Sequence, residues 1–370
     1  MRRFPVQIDS EFEAILSPIV SRTWRAVGAA EGALSAVSPA DRLLLEIEGW
    51  CGNALATALI EGERYDPKSL RDSVEHRVRR HKPLWAPSPP HVEGLLDVMD
   101  DAVCRADEPL TEERLCLWQA TLFPRGYLDA KPILTGQYRL DGMDIVSGPP
   151  GNRTVHYTAP PPELVPAQMR AFIEWFNAPK TLDPLVIAAV AHLWFETIHP
   201  FEDGNGRAGR ALIDLLMARQ MGTATRLVRT SERLLEKRGE YYEGLRATQH
   251  GEAPVKAWVV WFLEQVRASC ERATQAIDER LAKSRFWAQH GSHDIGPRQR
   301  AMLNTLIDAG PAGIEGGMST RKYEQIGETS RATASRELLE LEALGCLRRF
   351  GAGRSTHYQV AIDGWGPAPA

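Results

Sequence analysis

Residues 183–222 read DPLVIAAVAHLWFETIHPFEDGNGRAGRALIDLLMARQMG, and the fold turns on how this stretch is parsed. Asp183 before Pro184 predicts a helix start: the carboxylate caps, and proline's fixed φ suits the first turn, where its missing N–H costs nothing. The apolar run Leu185–Ile198 predicts a buried helix ending at His199, because Pro200 disfavours the α conformation in the residue before it. After a polar turn, a second helix over 206–221 places Ala211, Leu212, Leu215, Leu216 and Met217 on one side and closes at Gly222.

The turn carries the chemistry. Gly204-Asn205-Gly206 exposes backbone N–H groups at a helix N-terminus, an anion site most naturally filled by phosphates. Arg207 and Arg210 stand in the first helical turn, where they oppose the helix dipole unless something anionic is bound. Asp203 is placed to hold Mg²⁺ against the same phosphates, and His199 to act as general base. Gly204-x-Gly206-x-x-Gly209 formally matches a dinucleotide fingerprint, but it follows a helix rather than a strand. There is no GxxxxGK[ST], and Glu196-x-x-His199 has no second copy to make a di-iron site. The bland alternative is a helical corner whose His and Arg residues merely cap and pair.

Outward from this core, the spacing predicts helices over 8–35, 38–62, 68–81, 91–105, 111–122, 163–177, 231–248 and 254–284. Residues 126–162 are Gly- and Pro-rich with short alternating runs, a β-hairpin or flap between helical blocks. Residues 298–309, 319–327 and 330–344 followed by a glycine-turned hairpin give the order of a winged helix-turn-helix. The predicted class is all-α with a short β flap plus this C-terminal module. The segments are 1–110 (N-terminal helices), 111–285 (catalytic core), 286–297 (linker), 298–363 (winged helix) and 364–370 (tail).

The chain has 370 residues, a net charge of −4 and 25% charged residues, so nucleic-acid contact needs a local basic patch. Between 298 and 360, nine basic face seven acidic residues, with Arg331, Arg336, Arg349 and Arg354 at the expected recognition helix and wing. Protein contact or homodimerisation stands beside DNA binding as the use of that module. Five cysteines without CxxC suit a reduced cytoplasm, and neither a signal peptide nor a membrane span is expected.

The run His199–Arg210 resembles the Fic-family signature HxFx(D/E)GNGRxxR at every fixed position. The resemblance implies an all-helical core that transfers AMP from ATP to a protein Ser, Thr or Tyr hydroxyl, on a target or on the chain itself. It makes His199 the base, Phe201 the loop anchor and Asp203 the Mg²⁺ ligand. Gly204, Asn205 and Gly206 become the anion nest, and Arg207 and Arg210 contact the β- and γ-phosphates. Gly136–Val146 resembles the hairpin that aligns the target segment, and Tyr241 and Tyr242 stand where the family lines the nucleotide pocket, or simply pack. Thr57-Ala58-Leu59-Ile60-Glu61-Gly62 fits (S/T)xxxE(G/N), which in this family marks an inhibitory helix whose Glu61 would pair with Arg210. The same glutamate could orient water for de-AMPylation. Donors such as UTP stay open, because the motif reads phosphates rather than a base. A nucleotide-sensing winged-helix DNA-binding regulator without transferase activity is the alternative.

Overall fold

The computed structural model describes residues 10–79, 88–128, 131–147 and 154–366. It divides into two units, Met1–Thr274 and Gln275–Ala370. The first unit runs α1 (Ser10–Ser35), α2 (Pro39–Ile60), α3 (Pro67–Val78), α4 (Pro90–Cys104) and α5 (Glu112–Leu122). Short strands β1 (Tyr127–Leu128), β2 (Lys131–Pro132), β3 (Asp144–Ser147) and β4 (Thr154–Thr158) follow. Then come α6 (Val165–Asn177), α7 (Pro184–Ile198), α8 (Asn205–Met221), α9 (Thr225–Val228), α10 (Thr230–Glu236), α11 (Arg238–His250) and α12 (Val255–His290), which runs on into the second unit. The all-α class with short strand pairs is the one expected.

Caps begin these helices where the sequence places them. The side chains of Ser38, Thr111 and Asp183 accept from the N–H groups of Asp41, Arg114 and Leu185. The α7–α8 pair is the centre of the unit: every residue from Leu185 to Ile198 except Ile187 is buried, so α7 shows no polar face. α4 packs on α8, α6 on α7, and α2 lies against α3, α8, α9 and α10. Contrary to expectation, α2 is long and apolar enough to cross a membrane by length and composition; here its apolar side is spent on neighbouring helices.

Three expectations are corrected. Gly136–Arg139 is not part of a hairpin; the β3–β4 pair lies downstream, with an irregularity between Ile145 and Val146 and a tip outside the described residues. Tyr138 and Arg139 are instead buried, because the chain there is tied to the turn after α7. The single helix over 231–248 is broken at Lys237 into α10 and α11. The linker over 286–297 is largely absent: α12 continues to His290, and Phe286 and Ile295 join the core of the second unit. Gly291 and Pro297 punctuate one tight turn rather than a flexible connection. The Pro-rich turn around Lys82-Pro83 lies outside the described residues, as does 367–370 of the tail.

The second unit adds α13 (Pro297–Asp308), α14 (Thr320–Ile326), α15 (Arg331–Ala343), β5 (Leu347–Phe350) and β6 (His357–Val360). β5 and β6 pair antiparallel, and Met318 extends the ladder by exchanging two backbone hydrogen bonds of 2.8 Å with Tyr358. Arg331, Arg336 and Arg349 are exposed; Arg336 has Glu340 beside it at 3.5 Å, and the Arg354 side chain lies outside the described residues.

Candidate active site

The α7–α8 turn is built to hold an unusual backbone. His199 ends α7 at φ 50°, a left-handed conformation that costs a side-chain-bearing residue energy and persists only when its surroundings impose it. Arg139 imposes it: its backbone N–H donates to the Pro200 carbonyl at 2.9 Å and its Nε to the His199 carbonyl at 2.8 Å. The remaining guanidinium nitrogens donate to the Asp141 and Pro160 carbonyls. Burial with carbonyl partners alone pulls the Arg139 pKa below its ordinary value.

Phe201 is wholly buried among Tyr138 and Phe195. Asn205 is buried too, and its side chain is spent on that anchor: Oδ1 accepts from the Phe201 N–H at 2.9 Å and Nδ2 donates to the Phe201 carbonyl at 2.7 Å. Its amide therefore shapes the turn rather than reaching a ligand. Gly204 takes φ +89° to redirect the chain into α8.

The charged groups converge at the start of α8. Asp203 Oδ1 accepts from the Gly204 N–H at 2.5 Å and from Arg207 Nη2 at 2.8 Å. Burial nevertheless raises the Asp203 carboxyl above its ordinary value, against the pull of Arg207. Arg210 Nη2 donates to Glu61 Oε1 at 2.6 Å and its Nε to Thr57 Oγ1 at 2.5 Å, so the end of α2 lies on the anion nest. Gly206 leaves room for this approach, since a Cβ there would press on the Glu61 carboxylate. Gly62, at φ +84°, ends the helix just after that glutamate. Burial disfavours the Arg210 charge, but Glu61 outweighs it and the guanidinium ends above its ordinary value.

Sequence reasoning missed four members of this set. Glu63 pairs with Arg207 Nη1 at 2.7 Å and is itself held by the Tyr65 hydroxyl at 2.6 Å. Glu196, one turn before His199, brings Oε2 to 3.7 Å from His199 Nδ1. Burial works to raise its carboxyl, but His199, His192 and Arg210 hold it below the ordinary value. Arg139 is the third. The fourth, Arg238, donates to the Ile60 carbonyl at 2.8 Å and covers the Tyr242 ring at 5.5 Å. Glu63 had a visible signal, sitting two residues beyond Glu61; Arg139 and Arg238 had none.

The tyrosine pair separates. Tyr241 is a core residue whose hydroxyl meets His192 Nε2 at 2.8 Å, which corrects its assignment to the nucleotide pocket. Tyr242 is partly exposed beside the end of α2, its hydroxyl 3.4 Å from the Ile60 carbonyl. A cavity of about 660 Å³ opens next to the nest, bordered by Glu61, Glu63, Phe123, Asp203 and Arg207.

A helical core whose central corner joins an imidazole, a carboxylate and two guanidiniums around bare backbone amides belongs to the class that grips phosphates at a helix N-terminus. A sequence model of the Fic/DOC family matches residues 109–217, α5 through most of α8. The chain is similar to the protein adenylyltransferase fic-1 of Caenorhabditis elegans, 34% identical over 123 residues, 33% of this chain and 23% of that protein. It is also similar to a uridine 5'-monophosphate transferase of Xanthomonas campestris pv. campestris, 31% identical over 133 residues, 32% of this chain and 24% of that protein. The chain spans about a third or less of the length of the curated relatives it matches. In fold it resembles the crystal structure of a Fic family protein from Desulfovibrio desulfuricans G20, with a TM-score of 0.55, 21% identity, and coverage of 97% of this chain and 98% of that one.

Proposed function

We propose that this chain is a protein adenylyltransferase that moves AMP from ATP to a Ser, Thr or Tyr hydroxyl of a target protein or of itself, restrained by its own Glu61. The observation that carries the reading is the convergence of His199, Asp203, Arg207 and Arg210 on one helix start, with a carboxylate from α2 lying where an anionic tail would lie. In the reaction, the target hydroxyl gives its proton to His199 while its oxygen attacks the α-phosphorus. The bond from that phosphorus to the bridging oxygen breaks, and pyrophosphate leaves with the electron pair. Glu196 orients the imidazole, and Arg207 and Arg210 neutralise the departing charge.

The Asp203 carboxylate at the mouth of the nest would hold Mg²⁺, an ion that takes oxygen ligands from one or two carboxylates and from phosphates. When bound, Mg²⁺ supplies charge neutralisation along the polyphosphate. Asp203 and Arg207 form an ion pair in this structure, so holding Mg²⁺ would draw the Asp203 carboxylate away from Arg207. With its Arg210 contact broken, Glu61 could orient water on an AMP-modified protein, the reverse hydrolysis.

The UMP-transferring relative keeps a second donor in view, because the backbone amides and guanidiniums of the nest would meet phosphates, which both donors carry. The second unit we infer to be a winged helix. DNA contact through Arg331, Arg336 and Arg349 would be seen as duplex retention by the full chain at low salt. A cytoplasmic location suits the free state of all five cysteines.

The test is AMP incorporation from labelled ATP with Mg²⁺, in the Glu61→Gly background with and without His199→Ala. Loss of the base is expected to cut the rate by about 10²–10⁴ while ATP affinity stays. Undiminished labelling would remove His199 from the chemistry, and labelling from UTP alone would change the donor.

A further inference from the structure

We propose that His290, His293 and Cys346 of the second unit form a binding site for a thiophilic transition-metal cation, with Zn²⁺ the ion of choice. His290 is the last residue of α12 and His293 sits in the turn that follows, where its N–H donates to the His290 carbonyl at 3.1 Å. That turn sets the two imidazoles 5.2 Å apart between ring centroids. Cys346 arrives from the far end of the unit, after Gly345 at φ +74°, and leads into β5. Backbone hydrogen bonds fix it on both sides, from its N–H to the Leu341 carbonyl and from the Ala361 N–H to its own carbonyl, each 2.9 Å.

The three candidate ligand atoms lie within 4.8 Å of one another. Tetrahedral zinc, at about 2.0–2.1 Å from nitrogen and 2.3 Å from sulfur, needs them roughly 3.3–3.7 Å apart. The half-buried His293 ring can close that gap by rotating, while buried His290 and Cys346 stay in place. Nδ1 of both imidazoles is buried without a hydrogen-bond partner, an arrangement that interiors avoid unless something else satisfies the atom. A metal ion at the centroid supplies that missing partner.

The donor set selects the ion. Two imidazoles and a thiolate, with no carboxylate among them, suit zinc or its softer neighbours and not Mg²⁺ or Ca²⁺. Binding releases the Cys346 thiol proton to solvent, and three protein ligands leave a fourth position for water or an outside ligand.

The experiment uses the full chain after chelator treatment. Zn²⁺ alone is titrated in competition with a chromophoric chelator, and Co²⁺ serves as spectroscopic probe. One tightly bound ion per chain is expected, with a thiolate-to-cobalt charge-transfer band. Cys346→Ser should abolish the band, and His293→Ala should weaken binding by at least about tenfold. His293→Ala lies in a half-exposed turn and keeps the comparison valid if Cys346→Ser fails to fold. Absence of the sulfur band in the unsubstituted chain, or equal affinity in His293→Ala, overturns the site.

Discussion

Glu61 Oε1 lies 2.6 Å from Arg210 Nη2 in a setting that exposes 28% of the glutamate side chain and 3% of the arginine's. The asymmetry matters. The arginine is committed to the interior whatever binds it, whereas the glutamate, the last contact of α2 before Gly62, can leave by a local movement. Under the proposed function, competition between this carboxylate and a polyphosphate would therefore be decided at the more exposed partner.

Glu61→Gly is expected to raise AMP incorporation by about tenfold or more, which corresponds to removing about 1.4 kcal/mol of competition. Thr57 keeps its hold on Arg210 Nε in that variant, so the guanidinium stays oriented. Equal labelling by both proteins, measured with radiolabelled ATP, would show that Glu61 is only an ion-pair partner.

Glu63→Gln tests a second restraint. Glu63 neutralises Arg207 as Glu61 neutralises Arg210, and both carboxylates come from one three-residue stretch. Alone, the substitution should lower the KM for ATP modestly. Combined with Glu61→Gly it should give less than the sum of the two effects in free energy, because releasing one carboxylate loosens the other. Strict additivity in a double-mutant cycle would place the two restraints apart.

Arg139→Met should cost a few kcal/mol of stability, since it leaves several buried carbonyls without a donor. It should also sharply reduce transfer in the Glu61→Gly background, because the Nε bond that braces the His199 carbonyl beside its left-handed φ is lost. Thermal melts beside labelling assays separate the two losses. Arg139→Lys is not expected to rescue either, as an ammonium cannot span these acceptors.

Asp214, buried in α8, accepts from Asn53 Nδ2 of α2 at 3.1 Å, and burial raises its pKa from 3.8 to about 7. In the window between those values the unfolded chain has lost the proton and the native state keeps it. Asp214's stabilising contribution is thus fully present below about pH 4 and is lost as pH rises toward 7. Asp214→Asn should raise Tm relative to the parent by roughly 3–6 °C at pH 8 and much less at pH 5. The same increment at both pH values would mean that Asp214 is not the group titrating.

Much of the site was legible because its information is local. His199 through Arg210 is one helix end, one turn and one helix start, so residue spacing alone brings imidazole, carboxylate and guanidinium together. The Glu61 reading was legible only through a pattern resemblance, since no spacing rule links α2 to α8 across 149 residues. Tyr241 and Arg139 were misread for a shared reason. An exposed nucleotide-facing tyrosine and a buried hydroxyl bonded to His192 look the same in a helix of polar residues, and so do a flap arginine and a core arginine saturated by carbonyls.

Twelve consecutive residues and the rules of helix capping were enough to define the corner and its charge, because each of those properties depends on neighbours a turn or two away. Which side chains restrain that corner was decided only when the chain closed on itself: Glu63 reaches Arg207 across 144 residues and Arg139 reaches His199 across 60. Contacts at such separations depend on how α2 and the segment after β2 pack against the α7–α8 pair, and packing of that kind is a property of the assembled core rather than of any local run of residues.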